Sequence, residues 1–205
     1  MTRHAAQRGI GLEVIGAERA RREDLAIRER EIARSAAGLV AQGDAILLDA
    51  GTTTAYLAEA LSGVSGITVI TNSTRVVEIL RDRPGITLLA TGGLVRPGTE
   101  ALSGPTAELA LRELRADKLF LTASGITPAF GISHQDLSEV ATKQAMVRAA
   151  REVILLADHT RFGLEAVAQV APLSVVTRLI TDNALPAGTR LELSKTGIEV
   201  IIART

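Results

Sequence analysis

Short uninterrupted apolar runs recur along this sequence. Each is halted by small or polar residues and most lead into a helix-spaced segment, a pattern that few folds accommodate. Ala45-Ile46-Leu47-Leu48 stops at Asp49 and Gly51, and Ala55 to Leu61 then carries helical spacing. Ile67-Thr68-Val69-Ile70 stops at Thr71-Asn72-Ser73, ahead of Val76 to Leu80. Ile86 to Ala90 stops at Thr91-Gly92-Gly93, and a helix with proline in its first turn is expected over 105–114. Lys118 to Thr122, Val153 to Ala157, Val175 to Ile180 and Glu199 to Ile202 bring the series to seven strands, with a helix expected over 138–150. Strands that are apolar on both faces belong to parallel sheets covered by helices on both sides. The expected architecture is therefore α/β: an open, mostly parallel, doubly wound sheet with helices on both faces and right-handed crossovers.

Composition narrows the function classes. The 205 residues suffice for one sizeable domain. Aromatics are 2% of the chain (Tyr56, Phe120, Phe130 and Phe162), so the core must be aliphatic, and base stacking on aromatic platforms is nearly excluded. The 23 basic and 23 acidic residues cancel, leaving no global positive field to draw in nucleic acid or a membrane. The absence of cysteine excludes thiol catalysis and disulfides. The histidines His4, His134 and His159 are too scattered to propose a metal site, and no cofactor is expected. No run approaches the ~18 apolar residues of a membrane span. Met1 to Glu31 lacks the apolar stretch of a signal peptide. The chain reads as soluble and cytoplasmic, with no membrane partner.

The N-terminal part differs in character. Residues 1–34 hold 14 charged side chains, against 32 in the other 171 positions. Residues 1–24 are read as a charged linker or tail and 25–205 as the domain. Arg19 to Asp24 suits an exposed helix face better than a DNA-contacting arm, because acids are interleaved. From Leu25 a helix period sets in, with Leu25, Ile32, Ala36, Leu39 and Val40 on one stripe. Gly43 sits where a C-cap glycine belongs.

Ligands of open α/β sheets bind beyond the carboxyl ends of strands, so the residues placed there are the candidates. Asp49 is followed by Gly51, Thr52, Thr53 and Thr54 at the start of a helix. Unsatisfied N–H groups and a partial positive charge suit that end of a helix to a phosphate. A threonine N-cap is the plainer reading, but it accounts for only one of the three. Neither a P-loop nor a dinucleotide fingerprint fits, since no lysine follows Gly51 and the glycine spacing is wrong. Asn72 and Ser73 either cap the next helix or turn toward ligand hydroxyls. Gly92 and Gly93 permit a turn or a close backbone approach, and Arg96 is a possible anion partner. Glu139 and Lys143, four apart on a predicted helix, form either a surface ion pair or a ligand-directed cation with its orienting acid. Asp158, His159 and Arg161 fall where a buried strand turns, with Asp158 either capping that turn or accepting from a sugar hydroxyl.

Taken in order, several segments resemble the C-terminal effector-sensing domain of the DeoR family of bacterial transcription regulators. They are Leu48 to Thr54 with Leu57, Ala58 and Leu61; Thr71-Asn72-Ser73; Gly92-Gly93 with Arg96 and Ser103-Gly104-Pro105; Asp117 to Leu121 leading to Ser124-Gly125-Ile126 and Gly131-Ile132; Glu139 with Lys143 and Met146; and Leu156 to His159. The resemblance covers roughly residues 25–185. It implies a fold related to ribose-5-phosphate isomerase, a phosphorylated sugar or sugar-derived effector, and a homo-oligomer. It also implies a site using Asp49, Gly51, Thr52, Thr53, Asn72, Gly93, Arg96, Gly125, Glu139, Lys143 and Asp158. Two departures stand out. The family normally begins with a winged helix-turn-helix domain, which this sequence lacks, so DNA is expected as a partner only through a separate domain. Thr160 and Arg161 replace the serine-like residue and lysine usual after Asp158-His159, which changes donor geometry.

The expectation is thus a non-catalytic sugar-phosphate sensor acting as the effector-binding part of a repressor. An aldose–ketose phosphate isomerase is the rival. It needs a general base near the sugar, yet residues 118–135 contain no Asp or Glu. A module that binds no metabolite is the third reading.

Overall fold

The computed structural model describes residues 3–204, with side chains from Ala20 onward. The side chains of residues 1–19, His4 among them, lie outside the described residues. A long helix, α1 (Arg3–Ala37), precedes the sheet. It runs without a break through the segment read as a linker, and residues 20–24 are exposed as expected of a charged helix face. Ile32, Ala33 and Ala36 are its buried face. Burying a side chain such as Ile32 contributes ~1.5–3 kcal/mol. The helix ends before Leu39 and Val40, which pack on the same core from the following turn. Gly43 is therefore not its C-cap. With φ of 90°, it turns the loop and donates its N–H to the Gly66 carbonyl at 2.8 Å.

The chain then alternates as the apolar runs require: β1 (Ala45–Leu48), α2 (Thr52–Ala60), β2 (Ile67–Thr71), α3 (Thr74–Leu80) and β3 (Ile86–Ala90). A two-stranded arm, β4 (Leu94–Val95) and β5 (Leu102–Ser103), leads to α4 (Pro105–Arg112) and β6 (Ala116–Thr122). Next come β7 (Gly125–Thr127), β8 (Gly131–His134), α5 (Leu137–Ala149), β9 (Ala150–Leu156), β10 (Ala168–Ala171), β11 (Arg178–Thr181), α6 (Ala187–Lys195) and β12 (Glu199–Ile202).

The seven expected strands form one sheet in the order β12-β11-β9-β6-β1-β2-β3, every neighbouring pair parallel. The sixth begins later than the apolar pattern implied. Val175 and Val176 donate to Pro172 and Leu173 carbonyls in a tight turn, and strand pairing starts at Arg178. Alternate residues of the inner strands feed two cores, whereas edge strand β3 contributes Ile86 and Leu88 to one of them and leaves Leu89 40% exposed. Ile46, Leu48, Val69, Phe120 and Ile154 pack with Ile32 of α1 and Leu57 of α2. Leu47, Ile70, Leu119 and Leu121 pack with Leu111 of α4 and Met146 of α5. Helices thus cover both faces of an α/β, doubly wound parallel sheet. Strands β7, β8 and β10 form a separate antiparallel sheet beside it. Among the described residues no helix is long and apolar enough to cross a membrane.

The strand order fixes where a ligand site belongs. From β1 the chain progresses outward through β2 and β3 on one side, then returns to place β6, β9, β11 and β12 on the other. The order reverses between β1 and β6, and the crevice at such a reversal is the preferred binding place in open α/β sheets.

Candidate functional site at the sheet reversal

At the carboxyl ends of β1, β6 and β9 lies a crevice of about 180 Å³. Gly51, Thr52 and Thr53 enter it from the start of α2, Thr122 and Ser124 from the end of β6, and Asp158 and Arg161 from the turn after β9. Glu29 of α1 and His134 of β8 complete its polar lining.

The loop after β1 is built from its residue types. Gly51 is extended (φ 170°), so its backbone makes no demand for glycine. Space there is tight, because a Cβ would sit 3.0 Å from the Thr122 hydroxyl, which would have to give way. As the cap of α2, Gly51 offers no side chain to the first-turn amides, leaving these donors for another acceptor. The three threonines divide their work. Thr54 turns its hydroxyl back to the carbonyls of Asp49 (2.6 Å) and Gly51 (2.9 Å), locking the turn. Thr52 donates to Glu29 Oε1 at 2.6 Å. Thr53 lines the crevice.

Beneath the loop is a fully buried ion pair. Asp49 and Lys143 are both 0% exposed, and Lys143 Nζ donates to Asp49 Oδ2. The same oxygen accepts from the Thr122 amide at 3.0 Å and hydroxyl at 2.7 Å. Asp49 Oδ1 has no hydrogen-bond partner among the described residues. This arrangement corrects both readings of Glu139 with Lys143. Lys143 is neither a surface residue nor oriented by Glu139, because α5 turns it inward beneath the loop after β1.

Glu139 instead belongs to a polar chain. Its Oε2 lies 3.3 Å from His134 Nε2, and His134 Nδ1 lies 3.0 Å from Ser124 Oγ. Such a carboxylate–imidazole–hydroxyl series can pass a proton or present a hydroxyl to a ligand. Glu29 is 8% exposed, and burial pushes its carboxyl above the usual carboxylate range. The Thr52 hydroxyl opposes that rise, whereas the nearby Asp158 charge adds to it.

Other candidates sit at the border or outside. Asp158 accepts from the Thr160 amide and hydroxyl and from Arg161 Nε, so its oxygens are committed to its own turn. His159 faces away, with Nδ1 2.8 Å from Asp182 Oδ2, where Arg28 of α1 also pairs at 3.1 Å. Asn72 is fully buried. Its backbone carbonyl accepts from the Leu102 amide, and its Oδ1 is unpartnered among the described residues. Ser73 caps α3, its hydroxyl accepting from Val76 N at 3.2 Å. Gly92 and Gly93 turn the chain into the β4–β5 arm, and a Cβ on Gly93 would fall 2.6 Å from the Ser103 carbonyl. Arg96 pairs with Asp136, the N-cap of α5, and is about half exposed. At Gly125 a Cβ would fall 2.4 Å from the Leu164 carbonyl, so its place is a close backbone crossing.

Gly51, Thr52, Thr53, Asp158 and Arg161 are thus brought together around the crevice, with Asp49 and Lys143 below. Glu29, Thr122, Ser124 and His134 join them without having been singled out as site residues in the sequence. A larger groove of about 1040 Å³ lies elsewhere, lined mainly by apolar residues such as Ile126, Phe162, Leu173 and Leu193. Its polar residues include His159, Ser174, Thr189 and Thr196. Among the described residues no group of three or more His, Asp or Glu is placed to hold a metal ion.

The chain is similar to known proteins. An HTH-type transcriptional repressor of Escherichia coli, CsqR, is 30% identical over 203 residues, covering 98% of this chain and 78% of that one. An uncharacterized HTH-type transcriptional regulator of the same organism, YgbI, is 35% identical over 84% of this chain and 68% of its own length. Among solved structures, ribose 5-phosphate isomerase A from Methanocaldococcus jannaschii aligns with a TM-score of 0.49 at 18% identity, covering 68% of this chain and 54% of that one. The family description "DeoR C terminal sensor domain" matches residues 27–183. The sheet, the loop after β1 and this match lead to one assignment: the chain belongs to the DeoR C-terminal sensor domain family.

Proposed function

We propose that the crevice at the sheet reversal takes a phosphorylated sugar or a related phosphorylated metabolite as effector, with the phosphate on the N-terminus of α2. The observation that carries this reading is the start of α2 itself. Its first-turn amides lack a side-chain cap, and Thr52 and Thr53 stand beside them at the point where the strand order reverses. Ser124, His134 and Arg161 line the same crevice and would meet the sugar end. Effector binding would favour one arrangement of a homo-oligomer, and that preference would reach a helix-turn-helix domain such as the named relatives carry. In this reading the chain is a sensor, without turnover.

A thermal-shift series of phosphosugars beside their unphosphorylated counterparts tests the proposal. An effector at 100 times its Kd should stabilise the fold by ~2.7 kcal/mol, and the unphosphorylated sugar should not. Equal shifts from both, or none from any phosphosugar, would count against it, and the latter would favour a module that binds no metabolite.

The isomerase reading has one observation in its favour: the Glu139–His134–Ser124 chain reaches the crevice, and a carboxylate with imidazole can move a proton between carbons. Turnover of ribose 5-phosphate that disappears in Glu139→Ala would establish it.

A further inference from the structure

We infer that Glu29 is a built-in stand-in for the effector's anion: its carboxylate holds the first side chain of α2, and an arriving phosphate must expel it and thereby shift α1. The inference rests on reading the crevice as a phosphosugar site, and it concerns what that site does when filled.

Three observations converge on Glu29. First, it takes the hydroxyl of Thr52, the first residue of α2, at 2.6 Å. A carboxylate on the first side chain of an uncapped helix competes for the end that favours a phosphate. Second, the charges present do not allow both. Lys143 is committed to Asp49 and Arg161 to Asp158. A phosphate added beside Glu29 would set a dianion and two carboxylates against the one cationic side chain, Arg161, among the described residues lining the crevice. Third, the space of about 180 Å³ is below the ~300–1,000 Å³ of ordinary small-molecule sites, and Glu29 is one of its walls.

Expulsion has to involve the helix. Glu29 is already buried at 8% exposure, and Ile32, Ala33 and Ala36 fix the same stretch of α1 against the core. Arg28, the adjacent residue, is tied to Asp182. A carboxylate held this closely leaves by displacement of α1 along with it, so filling the site and moving the N-terminal helix become one event. Burial already disfavours the charged form of Glu29, so its hold on the helix end is weaker than that of a phosphate.

The test uses the full chain, with Glu29→Gln, which keeps side-chain shape and an acceptor for Thr52, and Glu29→Ala as a second variant. Inorganic phosphate and ribose 5-phosphate are titrated calorimetrically, and amide exchange is followed with and without phosphate. Both variants should bind phosphate at least tenfold more tightly than the wild type. In the wild type, phosphate should speed exchange across 25–33 while slowing it at 52–55. Unchanged or weaker binding by the variants, or α1 exchange that stays constant or slows, overturns the displacement while leaving the phosphosugar reading intact so long as the wild type binds. Failure of all three proteins to bind either probe removes both.

Discussion

Replacing Lys143 with Met keeps the length and most of the bulk of the side chain but removes the ammonium beneath the loop after β1. Asp49, itself 0% exposed, would then retain only the Thr122 amide and hydroxyl as donors. Breaking a buried pair from one side costs ~3–5 kcal/mol, because the surviving charge is left in a low-dielectric interior. With a urea slope near ~2.5 kcal/mol/M, that cost should lower the unfolding midpoint by ~1.2–2 M. Removing both charges is a different perturbation. The Asp49→Asn, Lys143→Met double variant strands no ion and should recover to within ~1 kcal/mol of the wild type, giving a large coupling energy in a double-mutant cycle. The assay is equilibrium urea unfolding of the four proteins followed by circular dichroism. A single Lys143→Met variant within ~0.5 kcal/mol of the wild type, or a double variant less stable than either single one, would refute the reasoning.

The pH dependence of stability follows from Glu29. Its folded-state pKa is raised above the unfolded value of 4.5, chiefly by burial, so the native state holds that proton more tightly. Stability from this group is therefore highest in acid and declines as pH rises from about 4.5 through the raised value. Glu29→Gln should melt higher than the wild type at pH 7, with the gap closing toward pH 4 in a melting series; a gap that widens in acid contradicts the assignment. Ser73→Ala removes the cap of α3 and should cost ~1 kcal/mol in urea unfolding; no loss would argue that the cap contributes little. Gly131 has φ of 77°, and a Cβ there would lie 2.3 Å from the Ala171 carbonyl. Gly131→Ala should cost well over the ~1–2 kcal/mol of the backbone term alone, read as a lowered Tm, and a wild-type Tm would contradict that geometry.

The inner strands of the main sheet were legible because strands buried on both faces have to be continuously apolar, and the edge strands β3 and β12, though only partly buried, carry apolar runs of the same kind. Their ends could be found because polar and small residues stop each run, which placed Gly51, Thr52, Thr53, Asp158 and Arg161 at the crevice. Other features depend on contacts that one-dimensional spacing does not carry. Lys143 invited pairing with Glu139 one helical turn away, yet its partner Asp49 is separated by 94 positions and meets it only through the packing of α5 on the sheet. His134 was invisible as a site residue because β7 and β8 are short strands outside the main sheet, and their hairpin alone brings it to Ser124. Glu29 read as one more acid on a charged helix. Only the docking of Ile32 and Ala36 turns that position toward α2. Gly43 matched a helix-end pattern six residues after the helix had stopped.

The most direct measurement is a crystal structure of the full chain with whichever phosphosugar gives the largest thermal shift. The phosphate is expected within hydrogen-bonding distance of the Thr52 and Thr53 amides, with Glu29 withdrawn from Thr52. A phosphate bound elsewhere, or a crevice still closed by Glu29 with the ligand seated in the apolar groove near Phe162 and Leu193, would contradict it.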